Sequence, residues 1–311
     1  MQEQAQLAKL RRNIFGALAK MGGAGFLGLL PLSPAENAAL ALRKFQIEAP
    51  DHTTTTFAIP LVGAHQVSDW DVIEDTLARS LNALIAQTDP NWRAIVCSQT
   101  RPNAVDLDPR ISHLPFEVEI AGHDKVAKLQ TLAQHCLLDH PKPGFFMPLD
   151  GDDLLERNFT QGLHKTPRNG LLVCGGYIVN STTGHVGVTR NRSWRAPLQK
   201  PFWKFCGSCM ALPVGNAPAA ESTFFKALAE HEHRLYPYLA TLAGNRLIHL
   251  DKASALYVIN HGENFETRRG RGGFKQRFIE RFLVSQESEL SEIQSAFPGS
   301  GELINPHKGD L

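Results

Sequence analysis

Apolar positions along the chain change their period as it proceeds. Leu7, Leu10, Ile14, Leu18 and Met21 recur at steps of three and four, the spacing of one helix face. A glycine-rich stretch over 21–32 follows, with no small-x-small cleavage site, so it does not read as a secretion signal. Ser33-Pro34-Ala35-Glu36 then has the S-x-x-E form of a capping box and opens a second helix through Arg43. Near Thr53 the grammar becomes short apolar runs alternating with helix-period segments. Strands are predicted over 55–62, 92–98, 115–120 and 145–149, and helices over 71–87 and 124–138. Such alternation implies an α/β fold with a mostly parallel sheet covered on both faces, whose ligands bind beyond the carboxyl ends of the strands.

The second half is less regular. Strands are predicted over 171–179, 185–189, 205–212 and 246–260, with a hairpin turn at 180–184. A helix is expected over 222–236, which Pro237 kinks or ends, and a closing helix over 274–293. The division is therefore residues 1–50 as an N-terminal helical segment, 51–273 as the main domain, and 274–311 as a closing helix and tail.

Composition narrows the function classes. The 311 residues carry 32 Lys+Arg against 31 Asp+Glu, without the basic excess of a dedicated nucleic-acid binder. Five cysteines are too few and odd in number for a disulfide scaffold, and fit a reducing, cytoplasmic setting. Cys206 and Cys209 form C-x-x-C, but no second pair completes a zinc site, so both read as strand residues. No apolar run reaches the ~20 residues that cross a bilayer. Lys9, Arg11, Arg12 and Lys20 surround the first helix's apolar face. That helix either packs on its own domain or lies in the plane of a membrane surface.

The densest chemistry is Asp150-Gly151-Asp152-Asp153, directly after the apolar run FFMPL. Three carboxylates at a strand end repel one another, and a hard cation such as Mg²⁺ or Mn²⁺ would neutralise them. A solvated turn whose Asp153 caps the next helix is the plainer reading. An EF-hand is excluded because its twelfth position is Gln161. A dehalogenase-type phosphatase needs further downstream aspartates, and only Asp251 and Asp310 follow.

These segments together resemble the donor-binding half of GT-A glycosyltransferases, especially of the family 2 type. The likeness runs through FAIPLVGAH at 57–65, Ser80-Leu81 with Gln87-Thr88 in the following helix, WRAIVCS at 92–98, the basic helix DKVAKLQTLA and finally DGDD. It implies a GT-A, Rossmann-like fold and metal-dependent transfer of a sugar from a UDP-, GDP- or dTDP-linked donor to a glycan, lipid-linked or other hydroxyl acceptor. In that reading Pro60, Leu61 and Val62 line the nucleotide pocket, and Lys125 and Lys128 reach phosphate or ribose. Asp150 contacts ribose or sugar, Asp152 or Asp153 ligates Mn²⁺ or Mg²⁺, and the late His261 joins the metal. Where the family has an aspartate after the second strand, this chain has Gln99, whose amide can read a base edge. Inverting transfer also needs a base for the acceptor hydroxyl. The run Glu230-His231-Glu232-His233 supplies Glu232 first and Glu230 second, and a histidine of the run could serve instead. Arg268, Arg269 and Arg271 form a basic loop that could fold over a diphosphate. A catalytically inactive glycan- or nucleotide-binding protein and a phosphohydrolase are the competing readings.

Overall fold

A computed structural model describes residues 6–45, 53–118, 120, 122–166, 169–262 and 273–305. The boundary placed near Pro50 and the loop carrying Arg268, Arg269 and Arg271 lie outside the described residues. The strands are β1 (Thr54–Pro60), β2 (Trp92–Ser98), β3 (Ile111–Pro115), β4 (Gly144–Pro148), β5 (Leu154–Leu155), β6 (Gly170–Asn180), β7 (Val186–Thr189), β8 (Met210–Val214) and β9 (Leu247–Ile259). The helices are α1 (Gln6–Lys20), α2 (Ala24–Leu27), α3 (Pro34–Leu42), α4 (Trp70–Ile85), α5 (Lys125–Gln134) and α6 (Phe159–His164). The remaining helices are α7 (Pro218–Ala229), α8 (Tyr236–Leu242), α9 (Gly273–Arg281), α10 (Glu287–Ala296) and α11 (Gly301–Ile304).

The strands form one open sheet in the order β3-β2-β1-β4-β8-β6-β9-β5, with β7 on β6. β1, β2, β3 and β4 pair in parallel. β8 pairs antiparallel with both β4 and β6, and β6 pairs in parallel with β9. Strands β6 and β9 therefore point the same way as the first four. The mostly parallel, Rossmann-like α/β sheet expected from the sequence is present. β4 enters beside β1 only because residue 144 is glycine. Its φ is +144°, and a Cβ there would lie 2.0 Å from the Thr54 carbonyl oxygen.

The elements follow their sequence. Asp69 caps α4 by accepting from the Asp71 and Val72 amides, and Ile73, Leu77, Leu81 and Leu84 turn inward at helical spacing. Gln87, just past α4, is a buried bracket. Its amide donates to the Glu156 carbonyl at 2.9 Å and its oxygen accepts from the Thr160 amide at 2.9 Å. The conspicuous Gln-Thr after this helix thus fixes the chain that leaves the acidic turn.

Four expectations are corrected. The third strand is 111–115, upstream of 115–120, where its register on β2 runs from Ala94–Ile111 to Ser98–Pro115. Cys206 and Cys209 lie before β8 and not within it, and all five cysteines are unpaired thiols. The closing helix is two helices, because residues 283–284 leave the helical path to bond to β7, with the Val284 amide on the Val186 carbonyl. The inward face of α1 is Phe15 and Ala19, while Leu10, Ile14 and Met21 are exposed.

That last rotation has an electrostatic cause. Arg11 donates to both carboxylate oxygens of Glu36, at 2.6 and 2.9 Å, and lies 4.1 Å from the Phe15 ring centroid. Glu36 is 3% exposed and also accepts from the Ser33 amide and the Tyr238 hydroxyl. Burial pushes its carboxyl up, but the Arg11 and Tyr238 hydrogen bonds outweigh that and hold it below its ordinary value. A bidentate pair at one turn and an aromatic ring at the next set which side of α1 faces in. Arg11→Met should destabilise the fold by about 2 kcal/mol, less than a wholly buried pair would lose because Arg11 is partly solvated. Urea denaturation measures this, and an unchanged midpoint would show that the pair does not hold α1 in place.

Candidate active site

Strands β1, β4 and β9 open their carboxyl ends on one side of the sheet. β8 runs against them, so on that side it presents the residues that precede it. The result is a cleft of about 610 Å³. Pro60, Leu61 and Val62 come from the end of β1, Asp150, Gly151 and Asp152 from the end of β4, and His261 from the end of β9. Phe205, Cys206 and Gly207 come from the approach to β8, and Asp124 and Lys125 from the start of α5. His261 sits in a tight turn between Asn260, with φ +62°, and Gly262, with φ +91°. Asparagine and glycine tolerate that left-handed backbone best.

The acidic turn solves its own repulsion by facing three ways. Asp150 pairs with Lys125 Nζ at 2.5 Å, and its amide donates to Ser208 Oγ at 2.8 Å. Asp152 meets His261 Nε2 at 3.1 Å. Asp153 turns into the protein and is 1% exposed. Its Oδ2 accepts from the Ser208 hydroxyl at 2.5 Å and the Cys206 thiol at 2.8 Å. Among the described residues, its Oδ1 has no hydrogen-bond partner. Burial, then the carboxylates of Asp152 and Asp150, push the Asp153 carboxyl well above its ordinary value. Burial and Asp153 push the Cys206 thiol up as well.

Lys125 lines the cleft, and Asp150 holds its ammonium above the ordinary value despite burial. Lys128 does not line it. This side chain is 0% exposed and donates to the Leu61 carbonyl at 2.6 Å while pairing with Asp124 at 2.7 Å. It supports the β1 loop from behind. Gln99 likewise stands behind the wall, donating to Asp124 at 2.8 Å. Burial pushes the Asp124 carboxyl up, but Gln99 and Lys128 outweigh it and hold the group below its ordinary value. An aspartate four residues before a lysine on one helix face was the signal that Lys128 would be paired rather than free.

Glu230 and Glu232 are both exposed and do not line the cleft. α7 stops at Ala229, and a short 3₁₀ turn at His233–Leu235 begins after Glu232, so the single helix face on which the base was expected does not exist. The turn delivers His233 instead. Its Nε2 is buried without a hydrogen-bond partner among the described residues. Burial, with the Lys125 charge, pushes its pKa down to about 4. Of the expected site residues, the structure brings together Pro60, Leu61, Val62, Lys125, Asp150, Asp152 and His261. It places Gln99, Lys128, Asp153, Glu230 and Glu232 elsewhere, and adds Asp124 and His233.

By sequence, the chain matches neither a family model nor a characterised protein. Among solved structures it is similar to the crystal structure of S. aureus TarS 1–349, at 12% identity and a TM-score of 0.41, covering 83% of this chain and 76% of that one. It is similar also to a crystal structure of S. aureus TarS, at 12% identity and a TM-score of 0.38, covering 80% of this chain and 45% of that one. Both likenesses are distant, and the site's own geometry carries the functional reading.

The buried Asp153 makes a testable contribution to stability. An aspartate ionises near ~4 when unfolded, but in the fold its raised pKa keeps the proton. The unfolded state therefore releases a proton that the folded state retains, and stability falls as pH rises from ~4 toward neutrality. Asp153→Asn removes that titration. In chelator-treated protein, the variant's stability relative to wild type should rise with pH across this window. A difference that stays constant with pH in urea melts would show that Asp153 is ionised in the fold.

Proposed function

We propose that this chain is a glycosyltransferase that moves a sugar from a nucleotide diphosphate to a hydroxyl acceptor with the aid of Mn²⁺ or Mg²⁺. The observation that carries this reading is the convergence of Asp150, Asp152, His261 and Lys125 in one cleft beside the apolar wall of Pro60, Leu61 and Val62. A nucleotide diphosphate has the matching parts, a flat base and ribose joined to a dense negative charge.

The donor set suits a hard or borderline cation. Asp152 and Asp150 offer oxygen, and His261 offers an imidazole nitrogen. Among the described residues, the trio whose ligand atoms already lie within 4.8 Å of one another is Asp150, Asp153 and Cys206. It suits Mg²⁺ less, because burial holds its thiol protonated. When bound, the cation supplies positive charge against the leaving diphosphate. Lys125 adds a second positive charge at the same place. Asp150, held by Lys125 and Ser208, faces the sugar or ribose hydroxyls. Pro60, Leu61 and Val62 exclude water from one side of the donor.

His233 is a group in the cleft suited to receive the acceptor's proton, because its imidazole is neutral and, among the described residues, Nε2 has no hydrogen-bond partner. Burial depresses its proton affinity most, and an anionic diphosphate beside Lys125 would offset the smaller depression that the Lys125 charge adds, which moves it toward the working range of a base. Inversion at the anomeric carbon follows from a single displacement of this kind.

A thermal-shift series with UDP, GDP, CDP and dTDP tests donor binding. One nucleotide at ~100 times its dissociation constant should stabilise the fold by about 2.7 kcal/mol, with Mn²⁺ required. Asp152→Asn should abolish that shift and lower transfer by ~10²-fold or more. No shift with any nucleotide, with or without metal, would overturn the reading. For the base, Glu232→Gln and Glu230→Gln should leave turnover near wild type, whereas His233→Gln should lower it ~10²–10⁴-fold with donor affinity kept. The reverse pattern would return the role to the Glu230–Glu232 run.

A further inference from the structure

The rotation of α1 leaves an apolar ridge on the outside of the molecule. Leu10 and Ile14 lie one turn apart on the outer face of α1, and beyond it Met21, Phe26 and Leu29 are 75%, 65% and 78% exposed. Lys9, Arg12 and Lys20 accompany them, and no acidic residue lies between Glu3 and Glu36. A second exposed basic segment lies near α1. Residues 190–204 carry Arg190, Arg192, Arg195, Lys200 and Lys204, and no acidic residue lies between Glu156 and Glu221. In this segment Trp194 is 84% exposed under the Arg195 guanidinium, and Leu198 is also open. The two segments are neighbours. α1 packs on α8, and the 3₁₀ turn at His233–Leu235 that leads into α8 packs on residues 202–204, with Arg234 Nε donating to the Lys204 carbonyl at 3.2 Å.

We propose that this face is a docking surface for an anionic lipid bilayer, with α1 and α2 lying in the plane of the headgroups. The charge and the apolar residues together choose the occupant. A rim whose lysines and arginines outnumber its carboxylates, the exposed Asp251 that accepts from Asn191 at 2.6 Å among them, repels a second copy of itself and suits a surface of lipid phosphates. Exposed Phe, Leu and Met beside an outward Trp are the side chains that enter the headgroup boundary. No helix among the described residues is long and apolar enough to cross a membrane, so contact here is in-plane. The docked face borders the cleft. Residues 190–204 run directly into Phe205, Cys206 and Gly207, which line it. On the reading under Proposed function, the acceptor hydroxyl would then be presented at the membrane surface.

Vesicle co-sedimentation tests docking without any need for sugar transfer. The full chain should sediment with phosphatidylglycerol-containing vesicles, and at least tenfold less with pure phosphatidylcholine. Raising salt from ~0.1 to ~0.5 M should weaken the binding, as screening of exposed charges requires. The double variant Phe26→Asp, Leu29→Asp should lose sedimentation. The triple variant Lys9→Gln, Arg192→Gln, Arg195→Gln should bind more than tenfold more weakly, at roughly fivefold per charge removed. Both variants should keep the nucleotide-dependent thermal shift of wild type, which shows them folded and separates this proposal from the donor-binding one. Equal binding to both vesicle types, or none, overturns the proposal. So does a mass, measured by light scattering, that is dimeric in wild type and monomeric in Phe26→Asp, Leu29→Asp, because the ridge would then be a contact between copies.

Discussion

Three carboxylates within four residues at the end of β4 are the constraint around which this molecule is arranged. Left together they would repel one another at a strand end. The chain separates them by direction, with Asp150 toward Lys125, Asp152 toward His261 and Asp153 into the interior against Ser208 and Cys206. Each partner comes from a different element, namely α5, the turn after β9 and the approach to β8. The acidic turn therefore joins the parallel half of the sheet to the mixed half. Ser208 serves twice, accepting from the Asp150 amide and donating to Asp153. This one hydroxyl sets the spacing between the carboxylate that faces the cleft and the one that does not.

The reversal of β8 is the second organising feature. Were β8 parallel to its neighbours, its carboxyl end would face the cleft and its approach would lie on the far side. Running antiparallel, it brings Phe205, Cys206 and Gly207 over the acidic turn, and the Lys204 backbone beside His233. The buried thiols of the C-x-x-C pair follow from this path. Cys206 is a hydrogen-bond donor to a carboxyl, which is a structural task.

Most of the first half was legible in the sequence, because buried parallel strands and amphipathic helices have distinct periods and caps. β2 and the capping box at Ser33 lie where the pattern placed them. What was not legible depends on direction. A tetrapeptide shows how many carboxylates are present but not that Asp153 turns inward. Lys128 looks like a free cation on a basic helix until its pairing with Asp124 is seen. The stripe Leu10, Ile14 and Met21 has helical spacing, yet the bidentate Arg11–Glu36 pair rotated the helix so that Phe15 and Ala19 face in. The helix expected through Glu230 and Glu232 ends early, and only the resulting turn shows that His233 is the residue delivered to the cleft.

The pairing of Lys125 with Asp150 has a consequence for how ligands enter. In the structure each is the other's counter-ion. A cation attracted to Asp150 competes with the ammonium, and an anion attracted to Lys125 competes with the carboxylate. Either ligand arriving alone must open the pair and leave one charge behind without its partner. When both arrive, each supplies the counter-charge that the other removes. The two binding events are then thermodynamically linked, with each tightening the other by the same factor. On the reading proposed above, a cleft wired in this way would answer weakly to a cation or an anion singly and strongly to the two together.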